Sequence, residues 1–181
     1  MAHTDIFLTH LHSDHTGLAA SIAVKSTKVF ISEKDKKFMD KMLTADYWHV
    51  VNHEFSKLGF PQHELMLNKE VNPASKYLPS KQIEYTGVEE GFTFDLGGRQ
   101  LQCILTPGHT PGHMCLYDEQ HKILFSGDHI LFDITPNITS WPEEENSLGD
   151  YLSSLEKVKL LKIKHTLAAH REPAGDCYSR I

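Results

Sequence analysis

The chain has 181 residues, 40% hydrophobic and 23% charged, with a formal net charge of −6. That is enough length for one globular domain, spanning 1–181, with a real core, and it excludes a low-complexity or disordered chain. The negative charge argues against a general nucleic-acid surface, no run approaches the roughly 18 apolar residues of a membrane span, and the first residues do not read as a signal peptide.

Asp5-Ile6-Phe7-Leu8-Thr9 is a short apolar run that reads as a buried strand. It delivers Thr9-His10-Leu11-His12-Ser13-Asp14-His15-Thr16-Gly17, in which four possible metal ligands fall within six residues. In an extended segment alternate side chains share a side, so His10 and His12 reach one ion together. Asp14 and His15 follow the strand end, where a turn aims them at a second ion. Gly17 to about Lys25 then reads as a helix and Lys28-Val29-Phe30-Ile31 as a strand, which gives an α/β layered order.

Residues 33–80 change character. Ser32-Glu33-Lys34-Asp35 suits a helix cap, and Lys36 to Leu58 carries helical periodicity. Pro61, Asn72-Pro73 and Pro79 break it, so the segment reads as a helical insertion or lid. Its His49, His53 and His63 read as surface or half-buried residues.

Beyond residue 82 the chain is strand-rich, with candidates at 82–85, 92–95, 101–105, 114–117 and 122–125, and Gly97-Gly98 marks a tight hairpin. Ser147-Leu148-Gly149-Asp150 resembles a capping box, and Leu148, Leu152 and Leu155 follow at helical spacing. Thr166-Leu167-Ala168-Ala169 is the last strand candidate. Three cysteines, odd in number and widely spaced, indicate a reduced, cytoplasmic setting. Cys103 and Cys115 read as core thiols.

Three more segments could bear ligands at strand ends, where open α/β sheets gather them. Thr106-Pro107-Gly108-His109-Thr110-Pro111-Gly112-His113 is a stiff loop, Phe125-Ser126-Gly127-Asp128-His129 places an acid beside a glycine, and Ala168-Ala169-His170 ends the final strand. His113 reads as support for the loop. His129 should point away from Asp128, towards a supporting or substrate-edge position. Ser126 and Thr9 read as hydrogen-bonding partners that orient ligands.

These four motifs, in this order, resemble the metallo-β-lactamase superfamily, nearest in style to glyoxalase II-like hydrolases. The resemblance implies an αββα four-layer sandwich and a dinuclear centre. His10, His12 and His109 would hold one divalent ion, and Asp14, His15 and His170 the other. Asp128 would bridge them, with Asp128 and Asp14 as the catalytic carboxylates. Zinc is the first expectation, with iron or manganese as alternatives. The implied chemistry is metal-dependent hydrolysis of a small thioester, lactone or other ester, since bound metal lowers the pKa of water towards 7.

Within the resemblance, the chain stops eleven residues after His170, short of a glutathione-binding region, and Leu131 stands where related lactonases place tyrosine. Leu161-Lys162-Ile163-Lys164 is similar to a segment of small endoribonucleases of the superfamily, which leaves a phosphodiesterase as an alternative. Segment 133–138 is expected to line the substrate pocket. The first His-rich motif begins at residue 10, where the family carries some fifty preceding residues. The expectation is therefore an N-terminally truncated domain, and another alternative is an incomplete or inactive one that needs a homodimer or a strand-completing partner.

Overall fold

A computed structural model describes residues 4–42, 44–65, 83–171 and 176–181. The chain divides into two compact units, Met1–Thr86 and Gly87–Ile181. In the first, β1 (Ile6–Phe7) pairs in parallel with β2 (Val29–Ser32), Ile6 opposite Val29 and Phe7 opposite Phe30. The strand order is β1-β2-β3; β3 (Tyr85–Val88) runs across the division after Thr86 and starts three residues beyond the start expected at 82. All four residues of β2 are buried, as a strand covered on both faces requires.

Between β1 and β2 lie two single helical turns, α1 (Ser13–Thr16) and α2 (Ala19–Ile22), in place of the one helix expected over 17–25. α3 (Glu33–Met42) starts where the cap signal lies, because the backbone N–H of Asp35 donates to Ser32 Oγ at 3.0 Å. α4 (Ala45–Lys57) has its own cap, the Thr44 hydroxyl, which accepts from the Tyr47 N–H. The periodic stretch is thus two helices. Phe38, Met39, Met42 and Trp48 form their buried side. Of the insertion expected over 33–80, residues 43 and 66–80 lie outside the described residues.

The second unit holds a five-stranded sheet: β4 (Thr93–Asp95), β5 (Gln100–Leu105), β6 (Met114–Asp118), β7 (Ile123–Gly127) and β8 (His165–Ala168), in that spatial order. β4 to β7 run antiparallel and β8 joins β7 in parallel, with an irregularity between Phe125 and Gly127. The β4–β5 hairpin turns at Gly97-Gly98, both at positive φ (71° and 95°), and Leu96 N–H bonds Arg99 C=O at 2.8 Å. Two consecutive positive φ values are what a type I′ hairpin needs.

α5 (Ser147–Lys159) is capped one residue earlier than expected. Asn146 accepts from the Gly149 N–H at 2.9 Å. Leu148 and Leu152 are exposed, so the helix does not bury its leucine spacing as a stripe. It packs through Val158 and Leu155 into a cluster with Ile104, Cys115, Tyr117, Leu124, Ile130 and Cys177. A four-residue turn, α6 (Cys177–Arg180), closes this core through Cys177. Each large aliphatic side chain fully buried here contributes about 1.5–3 kcal/mol.

Among the described residues no helix is long and apolar enough to cross a membrane.

Candidate metal centre

In the first unit, the His-rich segment leaves β1 through a bend and closes into α1. It is therefore not the extended strand that would put His10 and His12 on one side. Even so, the two rings lie 4.8 Å apart, and the His10 ring is 4.0 Å from that of His15. Asp14 Oδ2 is 3.6 Å from His15 Nε2. His10 is fully buried, and its Nδ1 is 3.0 Å from Thr9 Oγ1, the orienting contact expected of Thr9.

Two residues hold this segment in shape. The backbone N–H groups of His15 and Thr16 both donate to His12 C=O, and the buried Thr16 hydroxyl donates to the same carbonyl at 3.1 Å. The second is Asp35, which is fully buried on α3, and whose Oδ2 accepts the Leu11 N–H at 2.9 Å. Asp35 thus pins the backbone between His10 and His12. Sequence reasoning took residue 35 only as part of a cap; an acid at a position that the helix turns inward was the available signal.

In the second unit, His109 and Asp128 sit at strand ends, 3% and 6% exposed. His109 Nδ1 is 2.7 Å from the backbone carbonyl of Asn137. A carbonyl only accepts, so Nδ1 carries a hydrogen, and in the neutral ring Nε2 is the nitrogen with the lone pair. That Nε2 faces Asp128 Oδ2 at 3.4 Å. His170, just past β8, brings its Nε2 to 3.3 Å from the other oxygen, Oδ1. Two imidazole nitrogens therefore approach the two oxygens of a single carboxylate. This donor set, nitrogen and oxygen with the carboxylate in the middle, fits a borderline cation such as zinc.

The loop that carries His109 is built from short contacts. Thr106 N–H donates to His113 C=O and Gly108 N–H to Thr110 C=O. Ser154 Oγ on α5 donates to Pro107 C=O at 2.9 Å. Gly108 has φ +133°, and a Cβ there would collide with Tyr151 Cβ and lie 2.5 Å from its Cα. Only glycine fits that approach. The Trp141 indole N–H reaches His109 C=O at 3.4 Å.

His113 takes the supporting place expected of it. Its Nε2 accepts the Asp128 N–H at 3.1 Å, and its Nδ1 lies 2.7 Å from Thr106 Oγ1. His129 is fully buried, its ring 5.3 Å from Tyr151 and 6.0 Å from His113, so it has no face at a substrate edge. Burial holds its pKa down to about 4, which keeps it neutral at pH 7. Ser126 does not orient a ligand: its hydroxyl donates to Ile130 C=O at 2.9 Å. Cys103 and Cys115 are core thiols with no exposed surface.

The profile described as the metallo-beta-lactamase superfamily matches residues 4–170, and the chain belongs to that superfamily. It is 39% identical over 71 residues to an acyl-coenzyme A thioesterase MBLAC2 from Gallus gallus, a match that covers 39% of this chain and 24% of that protein. It is 27% identical over 161 residues to the hydroxyacylglutathione hydrolase GloC of Haemophilus influenzae, covering 87% of this chain and 62% of the relative. The crystal structure of the metallo-beta-lactamase family protein TTHA1429 from Thermus thermophilus superposes with a TM-score of 0.76 at 27% identity, over 98% of this chain and 57% of that one. The chain thus spans under two thirds of the length of each of these proteins. The mixed α/β architecture is that of the metallo-β-lactamase fold.

Proposed function

We propose that this chain carries a dinuclear metal centre and hydrolyses an acyl thioester or a closely related ester. The observation that carries the reading is the approach of His109 Nε2 and His170 Nε2 to the two oxygens of Asp128. In this assignment His10, His12 and His109 would hold one cation, Asp14, His15 and His170 the other, and Asp128 would be shared between them. Zinc is the first candidate, with iron or manganese as alternatives. When bound, such ions lower the pKa of a water molecule towards 7 and polarise a carbonyl oxygen.

The chain's own groups supply position and proton handling. Asn137 C=O keeps the hydrogen of His109 on Nδ1, so Nε2 is presented as a base. Asp128, whose N–H donates to His113 Nε2, would accept a proton from an attacking water. Asp14, beside His15 and largely exposed, would be the second acid and would pass an exchanging proton to solvent. Neither Ser nor Cys is required as nucleophile, and the buried thiols are unsuited to that role.

Thioesters come first because the two relatives named for an activity, a coenzyme A thioesterase and a hydroxyacylglutathione hydrolase, both release an acyl group from a thiol carrier. The test is a hydrolysis screen of Zn2+-, Mn2+- and Fe2+-loaded protein on an acyl thioester, a lactone and a phosphodiester, with metal content measured in parallel. Turnover of the thioester, lowered at least a hundredfold in Asp128→Asn, supports the reading. Turnover of the lactone or the phosphodiester alone overturns the substrate class. No turnover by fully loaded protein overturns the hydrolase reading.

A further inference from the structure

The segment after Asp128 leaves the sheet and returns to His109. At its far end it supplies the Asn137 carbonyl that takes the His109 Nδ1 hydrogen at 2.7 Å. An irregular loop holds a carbonyl in one direction only where something outside it fixes the backbone. Within segment 131–137 Leu131 is buried and Phe132 packs on the core, and the polar fixation of the backbone comes from Arg180. Arg180 Nε donates to Leu131 C=O at 2.7 Å, and its Nη2 donates to Ile134 C=O at 3.1 Å and lies 3.4 Å from Thr135 Oγ1. One planar guanidinium thus spans two carbonyls three residues apart and a hydroxyl next to them, with Pro136 buried immediately before Asn137.

Arg180 is itself firmly placed. Cys177 of the same turn is buried in the core, and the Tyr178 hydroxyl bridges Ile163 N–H, at 2.7 Å, and Leu161 C=O. The Asp176 carboxylate accepts the Tyr178 N–H at 2.9 Å and caps the turn. The clamp therefore joins the well-packed sheet core to a loop whose residues 133–135 are exposed.

We infer that Arg180 is a positioning residue for His109: through segment 131–137 it fixes the Asn137 carbonyl, and so the tautomer and direction of the His109 imidazole. This rests on the reading of His109 as a metal ligand. A lysine cannot substitute fully, because an ammonium is a point donor without the fixed fork that reaches Leu131 and Ile134 together.

The experiment compares wild type, Arg180→Ala and Arg180→Lys. In metal-free protein, long-range 15N–1H correlation of the histidine rings reads the His109 tautomer directly, below the melting temperature of each variant. The expected result is a single Nδ1–H tautomer in wild type, a mixture of both tautomers in Arg180→Ala, and an intermediate in Arg180→Lys. Zn2+ affinity, from chelator competition, should fall roughly tenfold in Arg180→Ala. An unchanged tautomer signal in Arg180→Ala overturns the inference, whatever that variant does to the melting temperature. If wild-type protein shows the Nδ1–H tautomer but binds no Zn2+, the metal-centre reading fails, while the tautomer comparison still decides the role of Arg180.

Discussion

Asp128 hangs from His113: its backbone N–H donates to the imidazole Nε2 at 3.1 Å inside a fully buried pocket, and the other ring nitrogen is used by Thr106. The acceptor role of Nε2 makes this imidazole neutral, with its hydrogen on Nδ1. Replacing His113 with leucine leaves the Asp128 N–H buried without this partner, at about 1–3 kcal/mol, while the Thr106 hydroxyl keeps the residue-113 carbonyl and Cys115 Sγ within reach. Urea denaturation of His113→Leu should show a correspondingly lower midpoint; a midpoint equal to wild type would contradict the arrangement.

Asp35 provides a second test, in the first unit. Asp35→Ala removes the acceptor of the Leu11 N–H and should cost about 1–3 kcal/mol of stability. Because the pinned backbone lies between His10 and His12, Zn2+ affinity should drop about 10- to 100-fold, the range seen when partners of metal ligands are lost. Asp35→Asn keeps an acceptor oxygen and should recover most of both losses. Calorimetry and chelator competition on the three proteins separate these outcomes.

Gly108 makes a steric prediction. Any side chain there meets the Tyr151 backbone and also needs a φ of +133°. Gly108→Ala should destabilise by about 2–4 kcal/mol through combined strain and overpacking. Since the displaced loop carries His109, metal affinity should fall as well. A variant with wild-type melting and metal binding would show that the loop and α5 do not pack as described.

Asp118 ends β6 with no exposed surface. Burial alone would raise its pKa, but the N–H and Nδ1 of His121 and the Arg99 guanidinium outweigh that and lower it from 3.8 to about 2. With the folded value below the unfolded one, its contribution is fully present above about pH 4 and is lost as pH falls towards 2. Asp118→Asn should therefore show less loss of stability across pH 4 to 2 than wild type. Denaturant midpoints at half-unit pH steps measure it, and parallel curves for the two proteins would count against the assignment.

The thiols give a chemical check. Burial pushes Cys103 and Cys115 up to about 12 and raises Cys177, so none offers thiolate at neutral pH. Native protein should react slowly with a thiol-disulfide reagent at pH 8 and release three equivalents once unfolded in urea. Fast labelling of the native chain would mean that the core around Cys115 is open.

Much of the candidate centre was legible because its residues are dense in sequence and each follows an apolar run: His10 to His15 after β1, His109 after β5, Asp128 after β7 and His170 after β8. Turn chemistry was equally plain at Gly97-Gly98 and at Ser32, where a short-range bond decides the structure. What escaped are partnerships between residues far apart in the chain. Asn137 acts through its backbone carbonyl, which has no side-chain signature. Asp35 and Arg180 act on backbone groups 24 and 46 to 49 positions away. The cap of α5 moved to Asn146 because an amide oxygen at that position competes successfully with the Ser147 hydroxyl. The leucine spacing of α5 misled because periodicity marks a face without saying whether that face is covered.

The pairing of β8 has a consequence for the order of assembly. β4 to β7 form a meander of hairpins, each closing over a short stretch of chain, whereas β8 must cross back from beyond α5 to lie parallel to β7. Local closures are fast and non-local parallel pairing is slow. On that ground His109 and Asp128 should be brought together by the hairpins before His170 docks with β8. Sub-global opening should run in reverse and detach His170 first, so amide exchange in 165–168 should be faster than in β5 to β7 and should slow when metal is added.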